Sequence, residues 1–282
     1  MAGKKKGLII FIMIMIAALY FSFKAFDPRI NTVYYEDQNE KIQEEIKIVF
    51  ISDLHGTEFG NHQKNLLRRL EKEKPDLLLL GGDIFDDRDG FENSKEFLEQ
   101  INGKYNSYFI TGNHEYNSGR IKEILEITRA NNIKILAGET TALDIKGTKI
   151  DLSGTDDRNF REEIFKTQLE RASEEKREDA YSILLTHRII NTEEFQKYNY
   201  NLVLSGHSHG GQVRLPYLLN GVYTREEGFL PMYAGGVYQN DQTKYIVGRG
   251  LTRKTYKIDE KYPIPRIFNP PELVVIKLLP LN

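Results

Sequence analysis

The chain has 282 residues, 40% of them apolar and 28% charged, with no cysteine. That length and balance suit one large globular domain or two small ones, and the lack of cysteine excludes disulfides and thiolate metal sites. Net charge is −2, and setting aside the lysines of residues 1–26 leaves 35 bases against 41 acids; a mildly acidic body excludes the footprint of a general nucleic-acid binder.

Lys4, Lys5 and Lys6 precede an uncharged, mostly apolar run from Gly7 to Phe23, which Lys24 closes. Such a run is just long enough to span a bilayer, with lysines snorkelling at both ends. The rival is a cleaved signal peptide, which has a shorter apolar core and a small-x-small cleavage site. Residues 20–30 offer only Ser22 and Ala25 among bulky neighbours. The expectation is an uncleaved single-pass anchor in the cell membrane over residues 1–26. The positive-inside rule keeps its lysines in the cytoplasm and places residues 27–282 outside. Residues 27–45 are polar and read as a tether containing one β-like piece, Thr32–Tyr35; residues 46–282 read as one domain.

Within that domain, Ile46–Ile51 is an apolar, β-branched run that predicts a strand buried on both faces. It opens onto Asp53 and His55. Leu66, Leu67 and Leu70 mark a helix stopped by Pro75. A second strand, Asp76–Leu80, opens onto Gly82-Asp83 and, further on, Asp86. After a helix with Phe97, Leu98 and Ile101 on its apolar face, the strand Tyr108–Thr111 opens onto Gly112-Asn113-His114-Glu115. A helix over about 119–131 and short strands near 133–136, 142–145 and 148–152 follow. A charged helix over 159–178 is expected to turn Ile164, Leu169 and Ala172 inward. The strand Ser182–Leu185 leads to His187, and Leu202–Leu204 leads to Gly206-His207-Ser208-His209. Strands alternating with helices predict an α/β sheet, whose ligands collect beyond the carboxyl ends of the strands.

Of the six histidines, all but His62 lie directly after an apolar strand, a sorting that scattered core histidines would not show. With Asp53, Asp83 and Asn113 after their own strands, seven donors (Asp53, His55, Asp83, Asn113, His187, His207 and His209) converge on one rim, with His114 to spare. Three or four donors make one metal site; seven suggest two sites with a shared ligand. Imidazole, carboxylate and amide donors suit Mn, Fe or Zn.

The set Asp53-x-His55, Gly82-Asp83, Gly112-Asn113-His114-Glu115, His187 and Gly206-His207-x-His209 resembles, in order along the chain, the five motifs of the calcineurin-like metallophosphoesterases. Gly112–Gly119, Leu185–Arg188, Gly210–Gln212 and the tail Arg266–Glu272 resemble the bacterial membrane-anchored branch. In one departure, Gly56 follows His55 directly where a residue often intervenes; the ligand spacing is unaffected. The resemblance implies a four-layer αββα sandwich of two mixed sheets flanked by helices. It also implies two divalent metal ions: one held by Asp53, His55 and His209, one by Asn113, His187 and His207, with Asp83 bridging. A bridging hydroxide would attack phosphorus, and His114 would protonate the leaving oxygen or steady the charged transition state.

The expected activity is hydrolysis of a phosphodiester or pyrophosphate bond, the sharper expectation being a lipid-linked or cell-envelope substrate. A phosphomonoesterase acting on soluble nucleotides or phosphoproteins, and a non-catalytic metal-binding envelope protein, are the alternatives. Asp86 and Glu115 read equally as carboxylates orienting an imidazole or as ordinary loop residues. Arg188 reads as a surface salt bridge before a phosphate clamp, Asp156-Asp157 as a turn before the charged helix, and Tyr116 and Tyr238 as cleft or packing residues.

Overall fold

The computed structural model describes residues 2–88, 90–159, 161–189, 192–254, 256–257 and 263–281. Sixteen strands and seven α-helices follow one another among these residues. The first sheet uses β1 (Asn31–Asn39), β2 (Ile46–Ile51), β3 (Leu77–Leu80), β4 (Ser107–Phe109) and β5 (Lys134–Ile135). The second uses β6 (Thr140–Ile145), β7 (Thr148–Gly154), β8 (Tyr181–Leu185) and β9 (Leu202–Ser205). A small hairpin, β10 (Tyr223–Thr224) and β11 (Gly228–Phe229), comes next. The second sheet resumes with β12 (Gly236–Asn240) and β13 (Thr243–Val247). A two-stranded ribbon, β14 (Tyr256–Lys257) and β15 (Pro263–Ile264), precedes β16 (Glu272–Pro280), which returns to the first sheet. The helices are α1 (Ala2–Ala25), α2 (Lys64–Glu73), α3 (Glu92–Ile101), α4 (Asn113–Asn117), α5 (Ile121–Ala130), α6 (Glu162–Glu174) and α7 (Glu193–Gln196).

The strand orders are β1-β16-β2-β3-β4-β5 and β12-β13-β9-β8-β7-β6. Both sheets are mixed: β2 to β5 run parallel and β16 antiparallel to β2, while β7, β8, β9 and β13 run parallel between antiparallel edge strands. The two-residue period of a strand explains the layering. Ile46, Ile48 and Phe50 of β2, with Leu77 and Leu79 of β3, meet Ile183, Leu185, Leu202 and Leu204 between the sheets. The alternate residues Val49, Ile51, Leu78 and Leu80 pack outward onto Leu66 and Leu70 of α2 and Phe97 and Leu98 of α3. On the far side Leu184 and Val203 pack against Phe165 and Leu169 of α6. The central strands β2, β3, β8 and β9 are therefore largely apolar on both faces, and the result is the four-layer αββα sandwich.

Two local expectations change. The stretch read as a tether contains β1, which lies beside β16 in parallel register from Asn31↔Glu272 to Asn39↔Pro280; the β-like piece is part of the sheet. On α6, Ile164 is 36% exposed and Phe165 takes the inward position. A helix rotation of 100° per residue lets a neighbour replace an apolar residue on the buried face. The helix expected near 119–131 is present as α5, preceded by the short α4.

Candidate metal centre

All the site loops leave the carboxyl ends of parallel strands at one rim. Past β2 and β3 the two loops stay paired, with Asp53 N donating to Gly82 O (3.0 Å) and His55 N to Asp83 O (2.9 Å). The loop after β9 is drawn onto Asp53, whose carboxylate oxygens accept from His207 N at 3.0 and 3.1 Å. The start of α4 is drawn onto Asp83, whose Oδ1 accepts from His114 N at 2.9 Å. Such approaches need bare backbone: a Cβ on Gly206 would sit 2.4 Å from Asp53 Oδ2, and one on Gly112 would sit 2.3 Å from Asp83 Oδ1.

The backbone itself is under strain here. Asp53 (φ 52°), His55 (φ 48°), Asp83 (φ 52°), His207 (φ 66°) and His209 (φ 47°) all occupy the left-handed region. Each costs about 1–3 kcal/mol and persists only where the surroundings enforce it. Five of the seven candidate ligands share this conformation, which other non-glycine residues such as Lys74, Asn199 and Phe268 also adopt elsewhere.

The side chains form two groups around Asp83. On one side His55 Nε2 lies 3.3 Å from His209 Nε2, which is 3.3 Å from Asp53 Oδ1. On the other, His187 Nε2 lies 3.2 Å from His207 Nδ1. Asp83 Oδ2 stands between them, 3.6 Å from His55 Nε2 and 3.2 Å from His187 Nε2. That oxygen is buried and accepts no hydrogen bond. Two nitrogens bound to one ion at about 2.1 Å stand roughly 3.0–3.4 Å apart, so both imidazole pairs have the spacing of ligands. The cluster fits divalent ions.

The outer faces of the rings are also held. Asp86 Oδ2 lies 3.5 Å from His55 Nδ1, Gly81 O 2.9 Å from His187 Nδ1, and Glu226 Oε2 2.7 Å from His207 Nε2. The Gly81 carbonyl is placed to fix the His187 tautomer and aim its Nε2 inward, while Asp86 and Glu226 are charged neighbours of the other two rings. Asn113 Oδ1 accepts from Arg188 Nη2 at 3.0 Å, which leaves the amide oxygen its second lone pair.

Burial and charge set the electrostatics. Burial opposes a charge on His187, but the Asp83 carboxylate prevails and pushes its pKa up to about 10. Burial holds His209 down to about 4 despite Asp53. Glu115 is raised to about 7 by burial and by the Asp83 charge. Its carboxylate gathers the N–H groups of Asp83 (2.9 Å), Phe85 (3.0 Å) and Gly112 (2.7 Å). Glu115 therefore ties two loops together rather than orienting an imidazole.

His114 packs edge-on against His55, centroids 4.4 Å apart, and its Nδ1 lies 2.7 Å from Asp87 Oδ1. It lines a cavity of about 180 Å³ with His55, Asp83, His207 and Arg225. A neighbouring cavity of about 230 Å³ is lined by Asn113, Tyr116, Arg188 and Glu226. Tyr238 lines neither; its hydroxyl donates to Gly235 O. His62 lies apart, exposed beside Glu96.

Arg188 is buried, not a surface salt bridge. Its Nε and Nη2 bind Asp157 at 2.7 and 3.1 Å, and Nη1 pairs with Glu226. Asp157 is thus a buried counter-ion and not a simple turn residue. Sequence reasoning missed Asp87 and Glu226. Asp87 had a signal, since it follows Asp86 behind a strand; Glu226 sits in a motif-free turn between β10 and β11, 17 residues past His209.

The family pattern described as calcineurin-like phosphoesterase matches residues 46–211. The chain is 30% identical over 259 residues to an uncharacterized metallophosphoesterase of Campylobacter jejuni, covering 89% of this chain and 63% of that protein's length. It is 29% identical over 211 residues to the uncharacterized metallophosphoesterase YkuE of Bacillus subtilis, covering 73% and 71%. The sulfate thiohydrolase SoxB of Thermus thermophilus shares the fold alone, with a TM-score of 0.50 at 12% identity over 84% of this chain and 57% of that one. The matched stretch covers more than half of the chain and holds all seven clustered donors, so this chain belongs to the calcineurin-like phosphoesterase family.

Proposed function

We propose that this protein is a membrane-anchored phosphoesterase that uses two divalent ions to hydrolyse a phosphodiester or pyrophosphate bond. The observation that carries the reading is the pair of imidazole pairs flanking the unsatisfied Asp83 oxygen. Asp53, His55 and His209 would hold one ion, and Asn113, His187 and His207 the other. Asp83 would serve both, since a carboxylate with two oxygens can offset the repulsion between neighbouring dications. Mn, Fe and Zn all suit these donors. When bound, the ions supply Lewis acidity toward the phosphoryl group and activate water.

The chain's own residues do the rest. His114 has Nδ1 engaged by Asp87, which leaves Nε2 as the nitrogen available to a leaving oxygen; it donates a proton there as the imidazolium, with both nitrogens protonated. Arg225 lines the cavity and suits a phosphoryl oxygen. The helix stretch Lys5–Ala25, 21 residues with 6% buried, is ~31 Å long at 1.5 Å per residue and matches a bilayer core. Lys4–Lys6 on the cytoplasmic side put the domain outside the cell. An anchor of this kind keeps the cavity close to lipid headgroups, which favours a lipid-linked or envelope phosphoester as substrate.

The test is metal analysis of purified full-length protein, followed by turnover of bis-p-nitrophenyl phosphate and p-nitrophenyl phosphate with Mn, Fe or Zn supplied. Two ions per chain, preference for the diester and loss of turnover in His114→Ala are expected. Preference for the monoester would move the reading to a phosphomonoesterase. Fully loaded protein that hydrolyses neither would overturn the enzymatic reading.

A further inference from the structure

The end of α1 is wired into the domain. Phe268 N donates to Ala25 O at 2.7 Å, and Asn31 N to Pro271 O at 2.7 Å. The neighbouring Ile267 bridges Val213 in parallel, and Ile267 O accepts from Arg214 N at 2.9 Å. A short path of backbone bonds therefore joins the helix end to the segment that begins at Val213.

That segment folds into a tight turn, with Leu218 N and Leu219 N both donating to Leu215 O at 3.0 and 2.8 Å. Its tip displays Tyr217 and Leu218, 107% and 85% exposed, beside Leu215 at 47%. Tyr217 holds a left-handed φ of 69°, a conformation that bulky residues avoid. A globular surface gains nothing from an aromatic and a leucine thrust into water on a strained turn.

The turn stands against α1. A groove of about 640 Å³ is lined by Pro216 and Tyr217 on one side and by Tyr20, Phe21 and Lys24 on the other, with Arg29 and Arg69 at its edge. Tyrosines from two separate segments thus share one level at the end of the helix. Tyrosine is enriched where acyl chains meet headgroups, and bases beside it suit anionic lipids.

We infer that the Leu215–Leu218 turn is a second membrane contact, dipping into the interface of the leaflet from which α1 emerges. The inference rests on the anchoring reading above. Lipid is the occupant because the apolar tip is continuous with the spanning helix. The same segment runs on to Arg225 and Glu226 at the cavity, so contact at the turn also fixes how the cavity faces the membrane.

The chain lacks tryptophan, which permits single reporters. Full-length Leu218→Trp, Phe23→Trp and Ile164→Trp are each placed in phosphatidylcholine–phosphatidylglycerol vesicles carrying brominated acyl chains. Phe23 lies on α1 and Ile164 on α6, against the second sheet. Loss of emission at positions 23 and 218, with none at 164, is the expected result. Quenching at 23 without quenching at 218 overturns the inference and leaves the anchor standing. Quenching at neither overturns both.

Discussion

Glu226 Oε2 lies 2.7 Å from His207 Nε2, on the opposite edge of the ring from the Nδ1 that faces His187. A carboxylate beside that nitrogen raises the ring's strength as a ligand. Glu226→Gln is expected to weaken metal binding at the His187–His207 side by roughly 10–100-fold. Competition with a fluorescent chelator measures it, and far-UV dichroism should stay unchanged. Unaltered affinity would leave Glu226 as a partner of Arg188 alone.

Arg188 and Asp157 form a buried, two-pronged pair. Arg188→Met strands the Asp157 carboxylate and is expected to cost about 3–5 kcal/mol in urea unfolding. Adding Asp157→Asn should recover part of that loss, because the stranded charge is then gone. A double variant no more stable than Arg188→Met would count against the pair as the cause.

Chelation should destabilise the fold as well as silence it. Asp53, Asp83 and Asp86 are all buried within the cluster, and bound cations offset their mutual repulsion. Ions present at about 1,000 times Kd stabilise a folded state by roughly 4 kcal/mol. EDTA should therefore lower Tm, and added Mn or Zn should restore it. Asp83→Asn should shrink the difference between the two conditions, as read by scanning calorimetry.

Tyr181 of β8 donates its hydroxyl to Asp37 of β1, joining the two sheets. Burial first, and the Asp37 charge second, push the phenol well above its ordinary value. The unfolded chain then releases this proton near pH ~10 while the folded one keeps it. Its contribution is full below that pH and falls as pH rises beyond it. Tyr181→Phe is expected to cost about 1 kcal/mol at neutral pH and to flatten the alkaline decline. An identical slope in both proteins would remove Tyr181 from the account.

The parallel strands and the residues beyond their ends were readable in the sequence because the central strands β2, β3, β8 and β9 are largely apolar on both faces and stop at a polar motif. His187 and Asp83 sit where that pattern put them, 3.2 Å apart. The partners that brace them were less readable. Arg188 looked like a surface residue because its counter-ions, Asp157 and Glu226, lie far from it in sequence and meet it only through the fold. Glu226 belongs to a loop without periodicity, so nothing local marked it. On α6, Ile164 and Phe165 are adjacent apolar residues, and only packing against Leu184 and Phe195 decides which turns inward. Polar residues along β1 hid a strand whose burial is slight.

The register of β1 against β16 bears on how the molecule is made. β16 lies between β1 and β2, so the strand that follows α1 has nothing to pair with until residues 272–280 exist. Translation at about 5–20 residues per second leaves β1 unpaired while the rest of the body is synthesised. Closing the sheet by its last strand means that a nascent chain lacking that strand keeps an open apolar edge at β2, the place where chaperone protection is most needed.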